Sequence, residues 1–131
     1  MRLRTVVALA IVLSAPGLAL APRLALAQQT VDPAPMTWRG VQLGGEQVFE
    51  GDYTVNFETS VFRPDGAPAS DALWLSAWED RLGDNGGFMR RYHLRFVGRQ
   101  TVQPGWYGSL GAYKNSVLIT RLVSARLLIG N

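Results

Sequence analysis

Residues 90–99, Arg-Arg-Tyr-His-Leu-Arg-Phe-Val-Gly-Arg, alternate with a period of two. Tyr92, Leu94 and Phe96 share one side; Arg91, His93, Arg95 and Arg99 share the other. Successive side chains of a β-strand point to opposite faces, so this stretch reads as a strand with one face on a core and one in water. The sequence around it reads as further strands and tight turns.

The first 27 residues read differently. Arg2 and Arg4 precede an apolar run, Thr5 to Leu13, that continues to Leu20 past Ser14 and Pro16. Ala25-Leu26-Ala27 then places small residues where a signal peptidase reads them. The expectation is a secretory signal peptide over 1–27, with Ala19-Leu20-Ala21 as a second cleavage site. Pro16, Gly17, Pro22 and Arg23 interrupt a run already shorter than the roughly 20 residues of a membrane span. The sequence therefore predicts a periplasmic or secreted protein with no span after cleavage. Residues 28–37, with Pro33 and Pro35, read as a flexible leader, and 38–131 as a single domain.

Export changes the meaning of the charge. The net +3 resides in Arg2, Arg4 and Arg23. From Gln28 onward basic and acidic residues balance, so overall basicity is no sign of nucleic-acid affinity. The balance is segregated: the acids all precede Gly86, and seven bases follow it. There is no cysteine, so neither a disulfide framework nor a lipid-anchored cysteine is expected.

Along the chain, Trp38 to Leu43 reads as a short first strand and Gly44-Gly45 as a turn. Tyr53 to Phe62 reads as one strand, ended by the turn residues of Arg63-Pro64-Asp65-Gly66. Ala72 to Trp78 is a third strand with two partly apolar faces, lying across the barrel or covered by a loop; Trp78 to Leu82 is alternatively a helical turn. Asp84-Asn85-Gly86-Gly87 reads as a hairpin joining it to the strand at 88–102. Gly105 to Tyr113, with glycines among aromatics, reads as a compact loop or 3₁₀ turn. Ser116 to Ile129 is a long last strand whose apolar phase changes, which calls for a bulge near Thr120 and Arg121. The predicted fold is all-β: a small antiparallel five-stranded barrel, OB-like with SH3-like as the alternative.

The spacings Phe57-Glu58-x-Ser60-x-Phe62, Phe96-x-Gly98-Arg99 and Pro104-Gly105-x-Tyr107-Gly108-x-Leu110-Gly111-x-Tyr113 resemble a group of small exported bacterial proteins without assigned function. The resemblance covers roughly Tyr53 to Leu128. It implies an exported β-barrel and no particular activity. That group often has Gly-His-Leu-Gly in the loop; here Ser109 takes the histidine position.

Little in the chain suggests catalysis. There is no cysteine, one lysine, Lys114, and one histidine, His93, on the basic strand face. One histidine without cysteine does not make the usual zinc sets, and the acids at 79–84 read as a solvated hairpin tip rather than a calcium loop. No cofactor or metal is expected. Glu58, read as mid-strand, is either a hydrolytic carboxylate or the ion-pair partner of Arg95 or Arg99. The strongest candidate is a ligand surface: Glu58, Arg91, Arg95 and Arg99 with Trp106, Tyr107 and Tyr113. The competing reading pairs these arginines with the upstream acids. The expected function is a monomeric binding or accessory module for a protein or envelope ligand. The alternatives are a small hydrolase or inhibitor acting through Glu58, and an OB-type binder of oligosaccharide or, less in keeping with export, nucleic acid.

Overall fold

The computed structural model describes residues 30–76 and 89–129. The expected signal peptide, the helical turn at 78–82, the acidic tip and the hairpin residues 84–87 lie outside them.

Two short strands, β1 (Met36–Trp38) and β2 (Val41–Leu43), pair antiparallel across a two-residue turn. Arg39 and Gly40 both have positive φ there, as a primed hairpin turn requires. Trp38 to Leu43 is therefore a hairpin rather than one strand. Five more strands follow: β3 (Gln47–Val55), β4 (Ser60–Pro64), β5 (Leu73–Ser76), β6 (Arg90–Gln100) and β7 (Ser116–Ile129). Their pairings run round a closed ring, β3-β4-β5-β7-β6, with β6 returning to β3. A ring leaves no continuous free edge, the chief hazard of a small all-β domain.

One pairing departs from the antiparallel expectation. β5 pairs with β7 in parallel, while the other four pairs are antiparallel. β6 stands two places from β5 in the ring, and β7 fills the place between them. β5 and β6 are not neighbours, so Leu73–Ser76 does not pair with Arg90–Gln100; the expected turn at 84–87 lies outside the described residues.

The long strand expected over 53–62 is also two strands. Asn56 and Thr59 exchange backbone hydrogen bonds of 2.9 and 3.4 Å, and the Asn56 side-chain oxygen accepts from the Glu58 N–H at 2.9 Å. This Asx-type closure turns the chain at Phe57-Glu58. It places Tyr53 opposite Phe62, and both are fully buried. In a single strand, residues nine apart would face opposite ways.

The core fills from the inward faces: Phe49, Tyr53, Phe62, Leu75, Leu94, Phe96 and Val117 among them. Phe49, Phe62 and Phe96 form an aromatic cluster with centroids 4.9–6.2 Å apart. Tyr53 and Ser60 hydroxyls lie 3.1 Å apart, and Ser60 donates to the Leu75 carbonyl at 2.7 Å. This buried chain ties β3, β4 and β5 together and satisfies the hydroxyls. On β7 three residues, Thr120, Val123 and Leu128, fall between paired positions, so the bulge expected near Thr120 is present and has two companions.

The segment expected to be a flexible leader is partly built into the fold. Met36 and Thr37 belong to β1, and Asp32 to Ala34 are held by Arg99. Among the described residues, no helix is long and apolar enough to cross a membrane.

Candidate functional site

The arginine row of β6 is wired to acids upstream. Arg91 pairs with Asp52 of β3. Arg95 lies directly across from Glu50 in the register, its guanidinium 3.7 Å from that carboxylate. Arg99 is buried, with its side chain 5 % exposed. It donates to the carbonyls of Ala34 and Gly44, the latter at 3.1 Å, and to Asp32 at 2.9 Å; Glu46 stands 4.0 Å away. The expected common surface of Arg91, Arg95 and Arg99 is corrected: Arg99 is covered by the N-terminal segment. Glu58 pairs with neither Arg95 nor Arg99. It is exposed on the 56–59 turn.

The clasp around Arg99 is acid-sensitive. The Ala34 N–H donates to Asp32, and the Asp32 N–H donates to Glu46. These backbone bonds, with Arg99 nearby, hold both carboxyls below their ordinary values of 3.8 and 4.5. The folded carboxylates resist protonation more than the unfolded ones do. Their contribution is complete above those ordinary values and is lost as pH falls through the lowered ones. Amide exchange at 32–46 is therefore expected to accelerate between pH 5 and pH 3 relative to the core of β6, and Asp32→Asn with Glu46→Gln to flatten that dependence.

The loop aromatics lie elsewhere, on the outer face of β4 and β5. Trp74 alternates outward between core residues Leu73 and Leu75, and Val61 is its register partner. The loop 103–115 folds back over Trp74. Tyr113 packs on it at 5.6 Å between ring centroids. Tyr107 and Tyr113 pair through their backbones, and the Tyr107 hydroxyl donates to the Gln103 carbonyl at 3.3 Å. The apolar outer face of the third strand is thus covered by a loop. A 3₁₀ turn, Ser109–Gly111, precedes the last strand as expected.

Two depressions flank the Trp74–Tyr113 pair. One, about 280 Å³, is lined by Asn56, Phe57, Glu58, Ser60, Trp74 and Ser109 among others. The other, about 520 Å³, includes Asp52, Val61, Arg63, Arg91 and Tyr113. Arg63 is exposed and has no ion-pair partner among the described residues. Phe57, which lines the first depression, is 79 % exposed; in the loop whose Ser109 also lines it, Trp106 is 89 % exposed and Leu110 fully. Leu110 is also held at φ 56°, a conformation costly for a non-glycine residue.

Of the predicted site residues, the structure brings Glu58 to the first depression and Arg91 and Tyr113 to the second. Trp106 and Tyr107 lie in the intervening loop, whereas Arg95 and Arg99 are apart from this face. Sequence reading missed Phe57, Arg63, Trp74 and Leu110. The signal for Phe57 and Leu110 was their place in the two motifs, and for Trp74 the apolar residue on the third strand's second face. It also missed a triad farther along the same outer face of β3 as Asp52, where Glu50, Asp65 and His93 converge. No protein-family model, curated protein or solved structure matches this chain.

Proposed function

We propose that the protein is an exported binding module that holds an elongated envelope ligand, a glycan strand or an extended protein segment, across the outer face of β4 and β5. The observation that carries this reading is the exposure of Phe57 on the 56–59 turn and of Trp106 and Leu110 on the 103–115 loop, two segments that both contribute to the lining of the first depression. Scattered single apolar residues on a surface are ordinary; a group of three, one in a strained backbone conformation, marks an interaction site. The ligand would run from these rings past Trp74 and Tyr113 to Arg63 and Arg91, so an acidic group at its far end is favoured. The basic start, apolar run and Ala25-Leu26-Ala27 of the N-terminus support export.

The barrel is read as OB-like. In ring order its strands are first, second, third, fifth and fourth, with the third and fifth parallel. Such barrels present ligands to the face of the second and third strands and the adjoining loops. Here those elements are β4, β5, the 56–59 turn and the 101–115 loop.

A hydrolase acting through Glu58 is less favoured. The described lining of its groove holds no second carboxylate and no imidazole, which that chemistry requires. The test is co-sedimentation of the purified chain with peptidoglycan sacculi, and separately its retention on immobilised envelope protein. Phe57→Ala combined with Trp106→Ala is expected to weaken binding at least tenfold, with Arg63→Gln weakening it about threefold and Arg95→Gln leaving it unchanged. Binding unaffected by the Phe57 and Trp106 changes would overturn the reading.

A further inference from the structure

We propose a divalent-metal site, suited to zinc, formed by Glu50, Asp65 and His93. The three ligand atoms lie within 4.8 Å of one another, and His93 Nε2 is 3.0 Å from an Asp65 carboxylate oxygen. They come from three separate segments: Glu50 from β3, Asp65 from the turn after β4, and His93 from β6. The convergence is imposed by the barrel rather than by local sequence. His93 stands across from Asp52 in the β3–β6 register, two positions from the Glu50–Arg95 pair and on the same face. The Asp65 N–H donates to the Glu50 carbonyl at 3.0 Å, which fixes the turn beside the strand.

The donor set has the right chemistry. One imidazole nitrogen and two carboxylate oxygens form a mixed set that zinc accepts, with bonds of about 2 Å and remaining positions open to water. Ligand atoms around a tetrahedral ion lie about 3.3 Å apart, so the His93–Asp65 spacing already fits. Glu50 must close in by about an ångström. Its side chain is 48 % exposed, and Arg95 holds it only at 3.7 Å, beyond hydrogen-bonding distance, so the movement breaks no strong contact. A bound ion would cross-link β3, β6 and the β4–β5 turn. It would share the outer face of β3 with Asp52, which lines the second depression, but it uses none of the residues that line either depression, so neither reading depends on the other.

The test uses the purified chain without a polyhistidine tag. His93 is the only histidine, so its imidazole gives a single ring signal in NMR, free of overlap. Addition of zinc chloride is expected to shift that signal and to saturate at one equivalent by calorimetry. His93→Gln and Asp65→Asn should each weaken binding at least tenfold, and Glu50→Gln about fivefold. The control Asp71→Asn, an exposed acid elsewhere, should leave binding unchanged. All four positions are at least partly exposed, so the variants are expected to remain folded, and the dispersion of their amide spectra checks this. No saturable zinc binding, or binding that the triad variants leave unaltered, would overturn the proposal.

Discussion

Arg99→Ala is expected to lower the folding free energy by about 3 kcal/mol, read as a shift in the urea midpoint at unchanged slope. The guanidinium is buried and joins three parts of the chain at once: the 32–34 segment, Gly44 after β2, and β6. Its removal leaves the Ala34 and Gly44 carbonyls without their donor, each costing on the order of 1 kcal/mol or more where water cannot replace it. Asp32, 59 % exposed, recovers hydration, which keeps the total at the low end of the roughly 3–5 kcal/mol typical of a broken buried pair. Arg99→Lys should recover less than half of the loss, because an ammonium cannot span the same planar set of acceptors. Exchange of the amides at 32–46 should rise more than that of β6 itself. A loss below about 1 kcal/mol would mean that the N-terminal segment is held without Arg99.

Gly108→Ala should be the most damaging single change in the loop. Gly108 has φ 74° and ψ −163°, a region open essentially to glycine alone. A Cβ there would lie 2.3 Å from Trp74 and 2.9 Å from the Tyr113 ring. Backbone strain of about 1–3 kcal/mol adds to a clash that only displacement of Trp74 relieves. The expected cost is about 3 kcal/mol in stability, together with a change in Trp74 fluorescence and loss of ligand binding. Gly105→Ala meets only the Tyr107 ring, at 2.9 Å, and is expected to be milder. Equal effects of the two changes would show that the loop does not rest on Trp74.

The alternation of 90–99 was legible because each parity met one environment along most of β6. It misled only at Arg99, which keeps the polar phase but is covered by residues 32–46, sixty residues upstream. Nothing local to Arg99 records that cover. The turn at 56–59 was hidden because Phe57-Glu58 is not turn-like in composition and Phe57 keeps the apolar phase of Tyr53 and Val55. The discriminating signal was Phe62, out of phase with Tyr53 in any single strand, with Asn56 placed to close a turn. The parallel β5–β7 pair could not be read locally, since it depends on where β6 crosses the ring. The proposed ligand face is half legible: the loop aromatics stand out in the sequence, but Phe57 reads as a strand residue and nothing local to Trp74 records the loop that covers it. The triad at His93 was invisible because its three members are brought together only by strand register.

The central claim is that Arg95 and Arg99 of β6 are internal wiring and that the proposed ligand face is built by the 56–59 turn, Trp74 and the 103–115 loop, with Arg63 and Arg91 at its far end. Amide chemical-shift mapping during titration with solubilised envelope glycan or protein tests it most directly. The account predicts saturable shifts concentrated at 56–63, 73–75 and 105–113, with β6 residues 93–99 unmoved. Shifts centred on Arg95 to Arg99, with the two loops silent, would contradict it.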